Sequence, residues 1–327
     1  MEVMGERRSL EPPPAPPPAP PPAFPYRFDR EGRLLHRHTG APFLFRLGRG
    51  EEARHAAEQL EALWSYITQH VHLLLQEDWH LRRLALPPPA RGLVWVSQGA
   101  LESRGRLLLL LQDRGVARSG QWSWRAIAGG GLEAGSQIPY VRRARQEGWG
   151  VALLDPNEEG ASPEEHLRHA WDGLLAGAGA GQVAVATHGY GGLAFVDLLA
   201  RRPQEVQRLV CAVAFIDSAH SLWHQPLSAD ARDWLRAHSR KWVLSGRPLN
   251  RAVSSLRADG PQVSAGTLRP EHAPAACLHA VFRYMAKALR AAPAPTPYDI
   301  VTRSRSQGRS RPPAGGARPR HSNANKI

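Results

Sequence analysis

The feature that most limits how this chain can fold is an unbroken run of leucine, Leu107–Leu111, set between Arg106 and Gln112. A strand with one face in water alternates apolar and polar residues, so a run that is apolar at every position belongs to a sheet covered on both faces. The rest of the chain supplies such covers. Leu60, Leu63, Trp64, Ile67, Val71, Leu74 and Leu75 recur at helical spacing and predict a helix over about 51–77. After the Pro87–Pro89 break a strand is predicted over 92–96, before the leucine strand at 106–111. Helix 138–147 then leads into strand 150–154. Ser162-Pro163-Glu164-Glu165 has the form of a capping box and opens a helix ending near Ala176. Strand 182–187, helix 192–202 and strand 209–216 follow. Helix 229–239, strands 241–244 and 261–264, and a last helix over 274–289 with Pro274 at its tolerated first position complete the order. No internal repeat interrupts it. Strand and helix in alternation over one block predict an α/β domain: a mostly parallel, doubly wound sheet with helices on both faces.

Two segments fall outside that block. Residues 12–25 read PPPAPPPAPPPAFP, which cannot donate ladder hydrogen bonds and favours an extended polyproline spacer. Ala291–Pro297 breaks the last helix. The expected division is a disordered proline-rich segment at 1–23, one domain at 24–292 and a disordered basic tail at 293–327. Of the formal net charge of +13, seven positive charges lie in residues 302–327, where no acidic residue occurs. Arg303, Arg305, Arg309, Arg311, Arg318 and Arg320 are the candidate nucleic-acid contacts. With no aromatic residue between them for base stacking, they suit salt-sensitive contact with a phosphate backbone, nuclear import, or simply a solvated end.

Other classes are disfavoured. The longest apolar runs fall short of the roughly 20 residues that span a bilayer, and the first residues, MEVMGERRSLEPPP, lack the apolar stretch of a secretory signal. Two cysteines, Cys211 and Cys277, do not suggest a disulfide framework and fit a reducing compartment. His166 and His169 share a helical face without a third ligand at metal-site spacing, so neither a metal nor another cofactor is expected.

One segment carries chemistry. Val183-Ala184-Val185-Ala186-Thr187 is an apolar strand that enters His188-Gly189-Tyr190-Gly191-Gly192 and then a helix. Strand, glycine-rich sharp turn and helix form the setting of a nucleophile elbow, whose working pattern is G-x-S-x-G on an α/β-hydrolase sheet. The pattern here is T-H-G-Y-G. Gly189 stands at the serine position, where glycine tolerates the strained backbone and supplies no nucleophile. A phosphate-binding reading is weak, since neither the P-loop lysine nor the G-x-G-x-x-G spacing is present; Gly191 and Gly192 are explained by close packing of helix on strand. Further triad positions are sought at later strand ends in the order serine, acid, histidine. Asp217 is the candidate acid and His272 the candidate base. His188 joins Gly189 as a vestige of the elbow. His220 and His224 are further neighbours of Asp217, and Ser218, between Asp217 and His220, is the one place to which a nucleophile could have relocated.

Larger blocks carry a family resemblance. They include Phe24-Pro25-Tyr26, His38-Thr39-Gly40, Pro42-Phe43, Gly120-Gln121-Trp122, Gln137-Ile138-Pro139, Asp155-Pro156-Asn157-Glu158, Ser162-Pro163-Glu164-Glu165-His166 and Trp171-Asp172. The HGYGG turn with Leu193-Ala194-Phe195-Val196, then Asp217-Ser218, His220, Trp223-His224-Gln225 and Val263-Ser264-Ala265-Gly266-Thr267, complete them. Over about 24–267 the chain resembles the argonaute-binding protein two, or cotranscriptional regulator, family, whose domain is α/β-hydrolase-like. The resemblance implies a nuclear role in small-RNA (siRNA)-linked heterochromatin formation and gene silencing, with argonaute machinery as partner and small RNA as a further one. It also marks departures: relatives usually carry serine at Gly189, histidine-glycine at Gln112-Asp113, and an acidic residue and histidine at Leu268 and Pro270. The expectation is a non-catalytic nuclear interaction protein, not secreted and without a membrane anchor. Two alternatives stay open, a serine-type acyl hydrolase with a residual or relocated nucleophile and the non-functional product of a degenerate gene copy.

Overall fold

A computed structural model describes residues 24–45, 51–157, 161–222, 225–254 and 260–292. Two short strands, β1 (Tyr26–Phe28) and β2 (Leu34–His36), pair as an antiparallel hairpin ahead of the long helix α1 (Glu51–Glu77). The main sheet opens with β3 (Leu81–Ala85), β4 (Leu93–Ser97) and β5 (Arg106–Leu111). Helices α2 (Trp124–Gly130), α3 (Leu132–Gly135) and α4 (Ile138–Gln146) lead to β6 (Gly150–Leu154), and α5 (Pro163–Ala170) leads to β7 (Gln182–His188). Helices α6 (Gly191–Arg201) and α7 (Pro203–Leu209) then precede β8 (Val210–Ile216). After α8 (Ala229–His238), β9 (Ser239–Val243) and β10 (Gln262–Ser264), the described residues close with α9 (Ala273–Ala291).

The eight strands of the main sheet lie in the order β10-β9-β8-β7-β5-β6-β4-β3. From β10 to β6 every neighbouring pair is parallel, and β4 runs antiparallel to both β6 and β3. This is the expected mostly parallel α/β-hydrolase-like sheet. Its leucine strand is central and covered on both faces. Leu108 and Leu110 join Ala184, Ala186, Ala212 and Ala214 in a core shared with α1, α4 and α9. Leu107, Leu109 and Leu111 join Val183, Val185 and Phe215 in a second core that includes residues of α5, α6, α7 and α8. All five leucines are almost fully buried, which is why no polar residue interrupts the run.

Local chemistry sets the element ends. Ser162 accepts from the Glu165 N–H at 3.2 Å while Glu165 accepts from the Ser162 N–H at 3.0 Å, so the capping box is formed. The helix after it ends earlier than the expected Ala176: α5 stops at Ala170 and the chain widens into a π-turn, Trp171–Leu175, closed by Ala176 N–H to Trp171 O at 2.8 Å. Pro203 ends one helix and starts another, so Leu209 closes α7 and the strand begins one residue later than predicted.

The sheet fixes where a site can form. The chain goes from β5 out to β6 on one side and returns to β7 on the other, so order reverses beside β5. In open α/β sheets ligands bind outside the carboxyl ends of strands at such a switch point. Those ends are Gln112-Asp113 after β5 and the His188-Gly189 step at the end of β7.

Candidate functional site

At the end of β7 the backbone turns sharply through Gly189, whose φ is +54°, before α6 starts at Gly191. The turn is tied to β8 and the loop beyond it: Gly189 N–H donates to Ile216 O at 3.2 Å and Ala219 N–H to Gly189 O at 2.9 Å. The next two glycines sit against their surroundings. A Cβ on Gly191 would lie 2.8 Å from Gln112 O and 2.9 Å from Leu111 O, and one on Gly192 would fall on the Ser218 hydroxyl.

The space beside Gly189 belongs to Asp113. A Cβ at position 189 would meet the Asp113 carboxyl group, with Oδ2 only 2.6 Å away and Cγ and Oδ1 closer still. Asp113 Oδ1 accepts the N–H of Tyr190 at 2.6 Å and that of Arg114 at 2.8 Å. In a working elbow the N–H of the residue after the nucleophile serves the oxyanion hole. Here that donor, on Tyr190, is already taken by the protein's own carboxylate.

The loop that carries Asp113 is held by Asn157, which gives the Asp155-Pro156-Asn157 motif a structural purpose. Asn157 Nδ2 donates to Asp113 O and Ala117 O, each at 2.8 Å, and Oδ1 accepts the Gly115 N–H at 2.9 Å. Arg118 donates to the Asn157 carbonyl. Above Tyr190, the Arg114 guanidinium lies 5.6 Å from the ring centre. The Tyr190 hydroxyl donates to Glu164 at 2.7 Å, a carboxylate contact that raises the phenol's pKa.

The sequence candidates fall into separate groups. Asp217 closes β8 with φ +44°, and its carboxyl is pushed upward in pKa by burial and then by Asp113, with Lys241 acting the other way. Ser218 and His220 do meet: Oγ lies 2.7 Å from His220 Nδ1. Both are buried, Ser218 under Gly192, and His220 is driven down to about 3 by burial and then Lys241. His272 lies in a 3-10 turn, Pro270–His272, before α9, with its ring 4.0 Å from Glu271. That loop does reach the elbow, but through Pro270, whose carbonyl lies 3.2 Å from His188 Nε2. His188 is buried, and its pKa is lowered by that burial against the opposing pull of Asp113. His166 accepts the Asp155 N–H on Nε2 at 3.1 Å and is held at about 4 by burial and then His169. Among the described residues no group of three or more His, Cys, Asp or Glu is placed to hold a metal ion. Arg303, Arg305, Arg309, Arg311, Arg318 and Arg320, with Trp223 and His224, lie outside the described residues. Sequence reasoning found the elbow and missed its occupant. The signal was an aspartate two residues after the leucine strand, at a position already marked as departing from the family pattern.

Comparison with known proteins identifies the family and the fold. The Arb2 domain profile matches residues 22–159 and 158–249. The cotranscriptional regulator ARB2A homolog of Gallus gallus is 32% identical, over 90% of this chain and 87% of that protein. The cotranscriptional regulator ARB2A of Homo sapiens is 31% identical, over 88% and 85% respectively. Among solved structures, the histone deacetylase Clr3 aligns with a TM-score of 0.51 at 17% identity, over 76% of this chain and 41% of that one. A histone deacetylase from Saccharomyces cerevisiae aligns with a TM-score of 0.50 at 12% identity, over 69% and 98%. These two likenesses concern the fold alone. No helix among the described residues is long and apolar enough to cross a membrane. On the profile match and on identity that extends over most of its length, the chain belongs to the Arb2 domain family.

Proposed function

We propose that this chain is a non-catalytic nuclear regulator that works by binding, with 24–292 as one binding domain. The observation that carries the reading is the Asp113 carboxyl at the place a nucleophilic side chain on residue 189 would need, bonded to the Tyr190 N–H. A site without a nucleophile at the elbow, and with the elbow's own oxyanion donor satisfied internally, lacks both the attacking group and one of the two donors that stabilise a tetrahedral intermediate. Names given to the relatives, cotranscriptional regulators, support a role in transcription. The family resemblance supplies the finer part: association with argonaute-linked silencing machinery, with the arginine tail at 302–327 adding salt-sensitive RNA contact. The test is co-purification of the full chain from nuclear extract, with and without RNase, reading argonaute recovery. Recovery through the folded domain that survives RNase supports the proposal. Loss of all recovery, or recovery unchanged when residues 24–292 are removed, contradicts it.

A relocated nucleophile is the second reading, favoured by the 2.7 Å Ser218–His220 contact. Its requirements are poorly met, because Ser218 is buried under α6 and turned to a histidine two residues on. Labelling by a serine-directed fluorophosphonate that disappears in Ser218→Ala would establish it. The non-catalytic reading predicts no labelling.

A further inference from the structure

Under the elbow, on the α1 and α9 side of the sheet, three buried side chains carry polar atoms with no hydrogen-bond partner. They are Gln112 Nε2, Trp122 Nε1 and His188 Nδ1. They share one place in the fold. Leu111 and Thr187 are the last residues paired between β5 and β7, so Gln112 and His188 follow them on the two adjacent strands. Alternation puts both on the face of Leu110 and Ala186. The Trp122 ring stands edge-on to the His188 ring, with centres 6.2 Å apart.

Hydrogen bonding fixes what each free atom can do. Gly120 N–H donates to Gln137 Oε1 at 3.1 Å, so Gln137 turns its Nε2 to Gln112 and donates to Oε1 at 3.4 Å. Gln112 Nε2 is therefore the end left over, and it is a donor. Pro270 O can only accept, so His188 Nε2 carries the proton of that 3.2 Å contact. Burial keeps the ring neutral, which makes Nδ1 an acceptor. Trp122 Nε1 is a donor only. Buried polar atoms are normally satisfied by protein or by an ordered bridging molecule, because leaving them unpaired is costly. The side chains neighbour one another through the β5–β7 register and the Trp122–His188 ring contact, and the three free atoms have no hydrogen-bond partner; two donors and one acceptor so placed call for a bridging group with two lone pairs and one hydrogen.

We propose that Gln112, Trp122 and His188 form a buried site for a hydroxyl oxygen, which accepts from the Gln112 amide and the Trp122 indole and donates to His188 Nδ1. A water molecule and the alcohol group of a small ligand share this chemistry. An alcohol uses its hydrogen-bonding capacity completely in such a setting, whereas water keeps one hydrogen in hand. The inference is independent of whether the elbow is catalytic or the protein regulatory.

A high-resolution crystal structure of the full chain, grown without alcohols and then soaked in 1-propanol, tests it. The expected result is density for an oxygen within hydrogen-bonding distance of both Gln112 Nε2 and His188 Nδ1. A single peak before the soak identifies water, and density that continues into a carbon chain identifies an alcohol. No density there, or a rotated Gln112 bonded directly to His188, overturns the proposal. The near-isosteric Gln112→Met variant should lose the peak while keeping the β5–β7 register, and a peak unmoved in that variant would also overturn it. In solution, nuclear Overhauser transfer from water or 1-propanol to the Trp122 indole proton is expected in the wild type. Its absence counts against the site even if no crystal forms.

Discussion

Gly189 and Asp113 form one unit, since the carboxyl group occupies the volume that any side chain at 189 would enter. Two costs follow for Gly189→Ala: a non-glycine residue at φ +54°, about 1–3 kcal/mol, and a steric conflict with Asp113. The conflict disappears when Asp113 is also changed to glycine. A double-mutant cycle by urea unfolding should therefore show Gly189→Ala costing clearly less in the Asp113→Gly background, whereas additive losses would separate the two residues. Histidine burial gives a second residue-scale expectation. His166 and His220 are held at about 4 and about 3 against an ordinary 6.5, so below pH 6.5 the unfolded chain takes up protons that the folded one refuses. Stability should be level above that pH and fall as pH drops from 6.5 toward 4, by up to about 1.4 kcal/mol per pH unit for each histidine. His166→Gln should flatten the slope in a pH series of unfolding midpoints. The sharp turn at Gly189 was legible because a motif has fixed spacing. Asp113 was not, because its contact exists only once β5 and β7 lie side by side.

Elements whose signal is local were readable. The capping box at Ser162 and the apolar stripe of α1 gave helix starts that the structure reproduces at Pro163 and Glu51. Elements built by tertiary contact were not. β3, Leu81–Ala85, carries Arg82 and Arg83 and has no clean alternation; it is a strand because its edge pairs with β4, where Arg83 lies over the Trp95 ring. Helices α2 and α3 are short and glycine-rich, and they form where Gly135 packs against Ser123 and Ile127 backbone. The same contrast sets the size of mutational effects. Ser162→Ala removes one cap and should cost about 0.5–2 kcal/mol, while Leu109→Ala opens a cavity in the central strand and should cost about 2–5 kcal/mol. Equal losses in thermal unfolding would mean that β5 is not the centre of the core.

Across the described residues the α/β-hydrolase-like sheet is intact, and at its switch point the Asp113 carboxyl fills the space beside Gly189. Sheet order, the switch beside β5 and the elbow at the end of β7 are all in place. The fold class was legible because alternation of apolar strands and amphipathic helices admits few arrangements, and strand order was not, because spatial neighbours such as β5 and β7 are separated by β6 in sequence. Family membership, shown over most of the chain, fixes what it is related to and leaves its activity to experiment. The most direct test is ester turnover by the purified full chain, compared with buffer and with Gly189→Trp. Turnover indistinguishable among the three is predicted, whereas wild-type turnover well above buffer that Gly189→Trp abolishes would contradict a closed, non-catalytic elbow.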